Sequence, residues 1–389
     1  MDNPDKQSLP RALAKIQWDE HGEAHCARWR SEAGVAPPSR IRVADDTLTA
    51  DAAYRLACEG TTLLWRGDFQ NARQLLQAMA RRIDKRNAGN RPSAGGMTEI
   101  FHKKRMAQAQ RARTLGMLLI PFEPGHRIPL RRAPDVQAAC AEAYGQADEP
   151  YVASLRELLG LIGAHEWRKK GVVVPEVGGR IHPHYGVFSP VRGEYVALVA
   201  NAPLPRALDG NSLAFDIGTG SGVLAAVLAQ RGVERIVATD QDERALACAL
   251  ENAERLGFAR QVEVVKADLF PAGTAPLIVC NPPWVPAKPS SALEYAVYDP
   301  DSRMLKGFLA GLLAHLAPDG EGWLIMSNLA ENLGLRREGE LLAMIDSAGL
   351  RVAGQENAKP MHAKASDPDD PLHLARAAEV TSLWRLVVK

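Results

Sequence analysis

Short apolar runs alternate with amphipathic segments through the second half of the chain. The runs are four to seven residues long and lie at 214–217, 235–240, 262–268 and 276–280. Runs of this kind predict strands buried on both faces, as in a parallel sheet. Helical patterns are found at 242–256, 302–316 and 335–348, and further strands are expected at 322–327 and 383–388. The alternation of strands and helices predicts an α/β fold.

The first half of the chain has a different pattern. Polar residues and prolines dominate positions 1 to 45, which predicts a loose or partly helical lead-in. Thr49 can then cap a helix that ends near Gly60, and Asp68 opens a second helix with an apolar stripe. The stripe consists of Phe69, Ala72, Leu75, Leu76, Met79 and Ile83. Because further helices are expected at 101–113 and 151–168, we predict a mainly helical N-terminal region over 1–170.

Two short strands around Gly178 and Gly179 are predicted by the run 172–182, and a helix is expected near 190–202. We therefore expect a hairpin and a linker helix over 171–205, followed by the α/β domain over 206–389. A polar insert at 359–373, which contains three aspartates, lies between the last two expected strands. Its composition predicts a solvated loop.

A glycine-rich motif follows the first apolar run of the α/β domain. Asp216 precedes glycines at 218, 220 and 222, and Asp240 follows Gly218 by 22 residues. Glycine permits a sharp turn and a close approach of the backbone to a ligand. An acid at the end of the next strand can accept the hydroxyl groups of a ribose. The motif favours a nucleotide-type pocket over an ordinary strand-to-helix turn.

Polar side chains lie at the ends of four successive apolar runs. They are Asp216, Asp240, Asp268 and Asn281. The carboxyl ends of parallel strands meet at one edge of the sheet, and ligands bind at that edge in open α/β sheets. We therefore expect these side chains to lie near one another and to form the site.

The fourth run leads directly into Asn281, Pro282, Pro283 and Trp284. A planar NH2 group is a poor nucleophile, because its lone pair is delocalised into a carbonyl group or a ring. If the Asn281 side-chain oxygen and a backbone carbonyl of this loop accept its two hydrogens, the lone pair is directed at an electrophile. The prolines carry no N–H and stiffen the loop. Trp284 can offer an aromatic face to a flat amide or base.

This ordered set of motifs resembles the class I S-adenosylmethionine-dependent methyltransferases, in the branch that methylates amide or exocyclic amino nitrogen. The resemblance implies a seven-stranded Rossmann-like sheet, with S-adenosylmethionine as the cofactor and no metal. It implies that the glycine turn approaches the methionyl part and that Asp240 binds the ribose. Asp268 and Leu269 would bind the adenine, while Asp216 would anchor the turn or hold the ammonium group.

The implied site residues fall into two sets. The cofactor-binding set is Asp216, Gly218, Thr219, Gly220, Gly222, Asp240, Gln241, Asp268, Leu269 and Asn281. The catalytic set is Asn281, Pro282, Pro283 and Trp284.

Over residues 150–389 the chain is similar to the protein glutamine N5-methyltransferases, which act on release factors or a ribosomal protein. That family has an N-terminal helical domain, a hairpin linker and a catalytic domain with Asn-Pro-Pro-Tyr. The segment 189–195 is similar to its Pro-Arg-x-Glu-Thr sequence with the spacing changed by one residue, and 293–300 is similar to its next acidic and aromatic run. The resemblance implies substrate recognition by the N-terminal region and a glutamine acceptor in a translation protein. The segment 285–301 is the expected loop over the acceptor.

An RNA acceptor is the alternative. Trp284 replaces the usual tyrosine, and 185–189 is similar to the lead-in of ribosomal RNA guanine N2-methyltransferases. Between Arg81 and Arg132 there are thirteen Lys or Arg residues and three acids, which is a local excess of +10. Such a stretch can attract the phosphates of a ribosomal or transfer RNA methylated on guanine N2 or adenine N6, or contact a ribosome, although many basic helices are only solvated. An inactive binding module of the same fold is disfavoured by the intact motifs.

Composition adds limits on the class of protein. The chain of 389 residues has a net charge of +1 and is 46% hydrophobic, as is common in soluble globular proteins. Five scattered cysteines without a C-x-x-C motif predict reduced thiols in the cytoplasm. The first residues lack the features of a signal peptide, and no apolar run is long enough for a bilayer, so no membrane association is expected. His182 and His184 have no Cys or acid at ligand spacing, so no metal is expected.

Overall fold

The computed structural model describes residues 14–88, 95–191, 193–289, 294, 296–360 and 367–389. The chain forms two compact units. The N-terminal unit comprises Met1–Ser93 and Arg105–His165, and the C-terminal unit comprises Ala94–Lys104 and Glu166–Lys389. Residues 94–104 therefore belong with the C-terminal unit, although they lie between two parts of the N-terminal unit in the sequence.

The N-terminal unit contains a six-stranded sheet. Its strands are β1 (Lys15–Glu20), β2 (Glu23–Trp29), β3 (Ile41–Ala44), β4 (Thr62–Trp65), β5 (Leu118–Phe122) and β6 (Tyr151–Ser154). The order across the sheet is β1-β2-β6-β5-β4-β3, with β3, β4 and β5 parallel and β6 antiparallel to β5. The helices of this part of the chain are α1 (Ala50–Cys58), α2 (Phe69–Ala88), α3 (Met97–Gly116), α4 (Gln137–Tyr144) and α5 (Leu155–Lys170).

This sheet corrects two predictions. The prediction of a loose or partly helical lead-in is wrong for residues 15–44, which contain three strands. The region up to 170 is also not mainly helical in architecture, since its helices accompany a six-stranded sheet. In β1 and β2 most positions are exposed or half-buried, and Ile16 and Ala27 are the buried ones. Their polar sequences do not predict strands, but pairing with neighbouring strands supplies their backbone hydrogen bonds. Tertiary context therefore overrides local composition here.

The helices beyond the lead-in match the sequence pattern. The Thr49 side chain accepts a hydrogen bond from the Ala52 amide at 3.3 Å and caps α1. Asp68 precedes α2 and accepts a hydrogen bond from the Gln70 amide at 2.8 Å. Every residue of the predicted stripe from Phe69 to Ile83 is buried. The pattern thus located the face of α2 that packs in the core, although it did not reveal the sheet.

The predicted hairpin follows α5 in the C-terminal unit. Its strands β7 (Val172–Val174) and β8 (Gly179–Ile181) pair antiparallel. Gly178 lies in the turn with φ of 64°, a conformation that glycine adopts without steric cost. The linker helix follows as α6 (Glu194–Asn201).

A seven-stranded sheet forms the centre of this unit. Its strands are β9 (Leu213–Ile217), β10 (Arg235–Asp240), β11 (Val262–Lys266), β12 (Ala275–Cys280), β13 (Leu316–Ser327), β14 (Leu350–Ala358) and β15 (Thr381–Val388). The helices are α7 (Val223–Gln230), α8 (Glu243–Leu256), α9 (Arg303–His315), α10 (Leu329–Asn332), α11 (Glu340–Ser347) and α12 (His373–Ala377).

The order of this sheet is β11-β10-β9-β12-β13-β15-β14, and β15 runs antiparallel to both of its neighbours. This confirms the predicted α/β fold of the class I methyltransferases with its seven strands. The sequence pattern did not identify β14, because exposed polar residues alternate along it as on an edge strand. The helix expected from 335 begins only at Glu340.

Two apolar cores cover the two faces of the seven-stranded sheet. One contains residues of α6 and α7 with Trp323 of β13, and the other contains residues of α9 and α11 with Phe215 of β9. The sheet is therefore the middle of three layers, which leaves its carboxyl edge for the site. Among the described residues, no helix is both long and apolar enough to cross a bilayer.

Candidate functional site

The glycine turn lies directly after β9. Gly218, Gly220 and Gly222 have φ of 71°, 54° and 78°, in the left-handed region, and α7 begins at the next residue. Packing also excludes side chains here. A Cβ at position 222 would lie 2.9 Å from the Ala249 Cα, and one at position 218 would collide with the Met304 side chain. The turn needs glycine for its conformation and for its close neighbours.

Asp216 of β9 anchors this turn by hydrogen bonds. Its Oδ2 accepts hydrogen bonds from Thr219 Oγ1 at 2.6 Å and from the Ala225 amide at 3.0 Å. The residue is 1% exposed, and burial raises the pKa of its carboxyl group to about 6. Of the two roles considered for Asp216, the turn anchor is the one that its contacts support.

Asp240 joins the end of β10 to the same turn. Its Oδ2 accepts the Gly220 amide hydrogen at 3.1 Å, and its Oδ1 accepts that of Asp242 at 3.0 Å. Burial raises the pKa of Asp240. Each carboxylate oxygen has a second lone pair, so the group can accept further hydrogen bonds from a ligand. Gln241 follows in the exposed turn before α8.

The third strand end is organised by Leu269 rather than by the acid before it. Asp268 lies two residues beyond β11, has a side chain 67% exposed and forms an ion pair with Arg303 at 3.3 Å. Leu269 has φ of 76°, which is unusual for a residue with a side chain. Its carbonyl oxygen accepts a hydrogen bond from Thr239 Oγ1 at 2.6 Å. Gly307 of α9 makes room for its side chain, since a Cβ there would lie 2.6 Å from Leu269 Cδ1.

Asn281 leaves the sheet beside the glycine turn. Cys280 pairs with Ile217 in the parallel register of β12 and β9, so Asn281 and Gly218 each follow a paired residue. The indole Nε1 of Trp284 donates a hydrogen bond to Asn281 Oδ1 at 2.9 Å. The Trp284 ring is half-buried and packs against three apolar clusters. Pro282 is buried and Pro283 half-buried. Stacking of an acceptor on Trp284 stays a prediction.

The segment 285–299 is tied at both ends. The Val285 amide donates to the Val297 carbonyl at 3.2 Å, and the Asp299 amide donates to the Val285 carbonyl at 2.9 Å. Asp299 is buried, and its carboxylate accepts the amides of Met304 and Leu305 at the start of α9. This fixes Met304 against Gly218. Two residues of the predicted acidic and aromatic run 293–300, Leu293 and Tyr295, lie outside the described residues, as do residues 290–292 of the expected loop and Arg192.

Helix α8 supports the glycine turn from the side of the hairpin. The buried Asn252 side chain donates to the Ser221 carbonyl at 3.0 Å and accepts the His182 amide at 2.8 Å. Glu251 of the same helix accepts hydrogen bonds from His184 and Arg168. Burial would raise the pKa of Glu251, but these bonds and one from Arg255 outweigh it and lower the pKa to about 2. Sequence spacing did not indicate these links, because the partners lie 67 to 83 residues apart.

The predicted insert and α3 contribute residues that the sequence analysis missed. Phe101 is buried in a cluster with Val285, Leu333 and Leu372, and Trp284 and Tyr298 pack against it. Asp370 has a side chain 6% exposed and pairs with Lys104. The prediction of a solvated loop is therefore wrong for Asp370, because the half-buried Lys104 compensates its charge, whereas residues 361–366 lie outside the described residues. The apolar spacing of Met97, Ile100 and Phe101 was the available signal.

Ion pairs neutralise part of the predicted basic stretch. In the described part of the stretch, at least six cations pair with a carboxylate. They are Arg82 with Asp51, Lys103 with Glu99, Lys104 with Asp370, Arg111 with Asp84, Arg127 with Glu123 and Arg132 with Asp68. Three of these acids, Asp51, Asp68 and Asp370, lie outside the stretch in sequence, so they lower its local excess from +10 to +7. A count along the sequence therefore overestimates the charge available to a ligand.

Comparison with known proteins gives similarity to methyltransferases. Residues 203–282 match the family model of ribosomal protein L11 methyltransferase (PrmA). A release factor glutamine methyltransferase from Cereibacter sphaeroides is 37% identical over 145 residues, which are 36% of this chain and 49% of that protein. A ribosomal protein L11 methyltransferase from Sorangium cellulosum is 30% identical over 210 residues, which are 49% of this chain and 60% of that protein.

A third relative is a tRNA1(Val) (adenine(37)-N6)-methyltransferase from Shewanella halifaxensis, 28% identical over 184 residues, which are 45% of this chain and 70% of that protein. The predicted resemblance to the release factor glutamine methyltransferases is confirmed. The chain spans less than two thirds of the length of the first two relatives.

Proposed function

We propose that this protein transfers a methyl group from S-adenosylmethionine to a planar NH2 nitrogen, and that the acceptor is the side-chain amide of a glutamine in a translation protein. The observation that carries the proposal is the position of Asn281. Asn281 directly follows β12, which pairs with the strand that leads into the glycine turn. A hydrogen bond from Trp284 fixes the orientation of its side-chain amide.

The residues of the turn fit the cofactor. Three glycines in the left-handed region form a cradle that side chains would fill, and the start of α7 favours a nearby negative group such as a carboxylate. Asp240 retains acceptor capacity for two hydroxyl groups of a ribose. Leu269 is held in place to flank a flat ring. We therefore propose the same cofactor positions as the sequence resemblance implies, with Asp216 as the turn anchor and Asp268 as an exposed partner for the adenine amino group.

Bound S-adenosylmethionine supplies an electrophilic methyl group on a sulfonium and leaves as a neutral thioether. The chain's own contribution is positioning, which can account for a large part of a rate enhancement. Asn281 Oδ1 has a second lone pair beside the one that Trp284 uses, and it can accept one hydrogen of the acceptor NH2 group. A carbonyl of the stiff Pro282 and Pro283 loop would accept the other. No residue of unusual basicity is needed in this scheme.

Three observations favour a protein acceptor. The release factor and ribosomal protein methyltransferases are 37% and 30% identical to this chain, against 28% for the tRNA methyltransferase. Ion pairs with carboxylates neutralise part of the positive charge of the basic stretch that an RNA ligand would use. The side of the site formed by residues 97–104 and 370–376 is apolar and internally charge-paired. We propose that the N-terminal unit recognises the acceptor protein and that the enzyme works in the cytoplasm, where translation proteins are found.

A base in ribosomal or transfer RNA is the second candidate. The similarity to the tRNA adenine N6-methyltransferase over 45% of the chain supports it. The exocyclic amino group of adenine or guanine is planar like an amide, so the same Asn281 chemistry applies. The residual excess of basic residues in the stretch 81–132 could contact phosphates.

Labelling separates the two acceptors. The purified protein is incubated with methyl-labelled S-adenosylmethionine and a cell extract divided into protein and RNA fractions. We expect label in a protein that survives ribonuclease treatment, and acid hydrolysis should release it as a methylated amine, because the glutamine amide is hydrolysed. Label that ribonuclease removes would favour the RNA candidate. Cofactor binding in calorimetry without label in either fraction would indicate the inactive binding module.

A further inference from the structure

Three segments that are distant in sequence meet beside the Asn281–Trp284 loop. The first half of α3 contributes the buried Phe101, with Met97 and Ile100 at its edge. The last part of the insert and α12 contribute Leu372 and Ala375. We call residues 97–104 and 370–376 the acceptor wall. Trp284, Val285 and Tyr298, which bound the segment 285–299, pack in the same cluster.

An ion pair between the half-buried Lys104 and the buried carboxylate of Asp370 joins the two halves of the acceptor wall. Lys104 Nζ contacts Asp370 Oδ1, and the Asp370 side chain is 6% exposed. Arg376 approaches the other Asp370 oxygen at 3.2 Å, and the Leu372 amide donates to Asp370 Oδ1 at 2.9 Å. A carboxylate removed from water is costly unless it is paired and hydrogen-bonded in this way. The pair therefore holds α3 and the 370–376 segment in one arrangement.

The acceptor wall is also attached to the loop that carries Asn281. Thr98 Oγ1 donates to the Leu333 carbonyl at 2.8 Å. In the turn that follows, the buried Arg336 donates to the Trp284 carbonyl at 3.4 Å and pairs with Glu331. Movement of the wall would thus reach Trp284 by two routes, one through the apolar cluster and one through the turn at 333–336.

We propose that the acceptor wall is a specificity-determining part of the acceptor site, and that Lys104 and Asp370 are positioning residues that hold it against Trp284, Val285 and Tyr298. The proposal rests on the function proposed above and adds the element that sets acceptor affinity. The wall consists of residues outside the strand-end motifs, so chains that share the glycine turn and Asn281 can differ in acceptor through it. The proposal predicts that loss of the Lys104–Asp370 ion pair weakens binding of the acceptor and leaves the cofactor pocket intact.

The test uses single variants of the full chain. Lys104→Gln and Asp370→Asn each remove one charge of the pair, and Lys104→Arg is the conservative variant that keeps both charges. Lys169→Gln is the matched control, because Lys169 pairs with Glu166 at 3.2 Å on an exposed surface. The assays are kcat and KM with a purified bacterial release factor, and the Kd of S-adenosylhomocysteine by calorimetry.

We expect Lys104→Gln and Asp370→Asn each to raise the KM for the release factor by about tenfold, the effect of about 1.4 kcal/mol. The Kd of S-adenosylhomocysteine should stay within about twofold in both. Lys104→Arg, which keeps the charge, should lose less than Lys104→Gln, and Lys169→Gln should behave like the wild type. An unchanged KM in both Lys104→Gln and Asp370→Asn, or an equal loss in cofactor affinity, would overturn the proposal.

Hydrogen exchange gives a readout that needs no acceptor. The amides of Val285 and Asp299 are hydrogen-bonded at the two ends of segment 285–299. Exchange of these two amides should be about tenfold faster in Lys104→Gln and Asp370→Asn and close to that of the wild type in Lys104→Arg. Unaltered exchange would refute the positioning role even if methylation of the release factor cannot be detected. Faster exchange together with no methylation of any fraction would instead contradict the proposed function.

Discussion

The indole N–H of Trp284 donates a hydrogen bond to the side-chain oxygen of Asn281 at 2.9 Å. Trp284 follows Asn281 by three residues, and the proline loop between them brings the indole N–H within hydrogen-bond distance of Asn281 Oδ1. The bond distinguishes the oxygen of the Asn281 amide from its nitrogen and fixes which one faces Trp284. A tyrosine or phenylalanine ring has no donor at the indole position, so this chain orients its asparagine in a way that depends on tryptophan.

Trp284→Phe should test that orientation. The change keeps an aromatic ring in the apolar clusters and removes the N–H donor. We expect kcat to fall by about tenfold, since a hydrogen bond of this kind contributes ~1 kcal/mol and its loss also frees the amide to rotate. Asn281→Ala sets the scale and should lower kcat much more, with little effect on cofactor affinity in either variant. Parallel losses in turnover and cofactor binding would mean that the pair is only structural.

Asp240→Ala should weaken cofactor binding without unfolding the unit. The carboxylate accepts the Gly220 amide hydrogen, and in the proposed site it also accepts the ribose hydroxyls. Loss of charge-assisted hydrogen bonds costs about 1.5–3 kcal/mol, or ten- to a hundredfold in affinity. Asp268→Ala is the comparison, and we expect a smaller loss because the Asp268 side chain is 67% exposed. Calorimetry with S-adenosylhomocysteine decides, and equal affinities for wild type and Asp240→Ala would remove Asp240 from the site.

The strand-end residues could be predicted because the information is local. Asp216, the glycines and Asn281 lie within or directly after apolar runs, and parallel strands bring such positions to one edge. The sheet order and the Ile217–Cys280 register agree with that inference. The roles of the residues are less local. The anchoring role of Asp216 depends on the Ala225 amide, which only the fold brings to its oxygen.

Contacts between remote segments could not be predicted in the same way. The half-buried strands of the N-terminal unit gain their stability from neighbours, so their own polar sequences favour a loop. Lys104 and Asp370 lie 266 residues apart, and each alone has the pattern of a solvated charge. Phe101 belongs to a helix whose basic composition suggested a surface. Pairing and burial, which decide these positions, are properties of the assembled chain rather than of any local window.

Gly307→Ala should weaken cofactor binding through Leu269. A methyl group at position 307 would lie 2.6 Å from Leu269 Cδ1 and must displace that side chain. Since the displaced atom is the end of a flexible side chain, we expect a stability loss of only about 1 kcal/mol and a three- to tenfold rise in the Kd of adenosine. Gly210→Ala is the matched control, because nothing lies within 4 Å of a Cβ there and its φ is −95°. An unchanged Kd for Gly307→Ala would show that Leu269 does not flank the adenine.

Asp216 should make stability depend on pH in a defined direction. Its pKa rises from 3.8 to about 6 because burial disfavours the charged form. The folded state therefore binds the proton more tightly than the unfolded state, and stability from this group is present below pH 4 and lost as the pH rises through 6. The loss is ~3 kcal/mol at 1.36 kcal/mol per unit. Urea unfolding gives the free energy of unfolding of wild type and of Asp216→Asn. The value for wild type minus the value for the variant should fall between pH 4 and 7 and then stay level. A difference independent of pH would contradict a raised pKa.

Salt dependence should separate a protein acceptor from RNA. An RNA held by the basic stretch would release counterions, so log affinity would fall with log salt at a slope of about −0.7 per phosphate contacted on single strands. The structure decides which residues to neutralise. Lys104 is unsuitable because it pairs with Asp370, whereas Arg81, Lys85 and Arg113 are exposed and form no ion pair within the described ranges.

The triple variant with glutamine at 81, 85 and 113 removes three charges and leaves the acceptor wall intact. We expect methylation of a protein fraction to keep at least half its rate and its weak salt dependence in this variant, since a glutamine side chain is held by Asn281 and the wall rather than by phosphate contacts. On the RNA alternative, the same variant should lower affinity and flatten the slope by up to about two units. The matched triple variant with glutamine at 206, 260 and 351 removes three exposed arginines that form no ion pair within the described ranges, so it separates a local contact from a general effect of net charge. A steep slope that flattens only in the first variant, with ribonuclease-sensitive label, would decide for RNA.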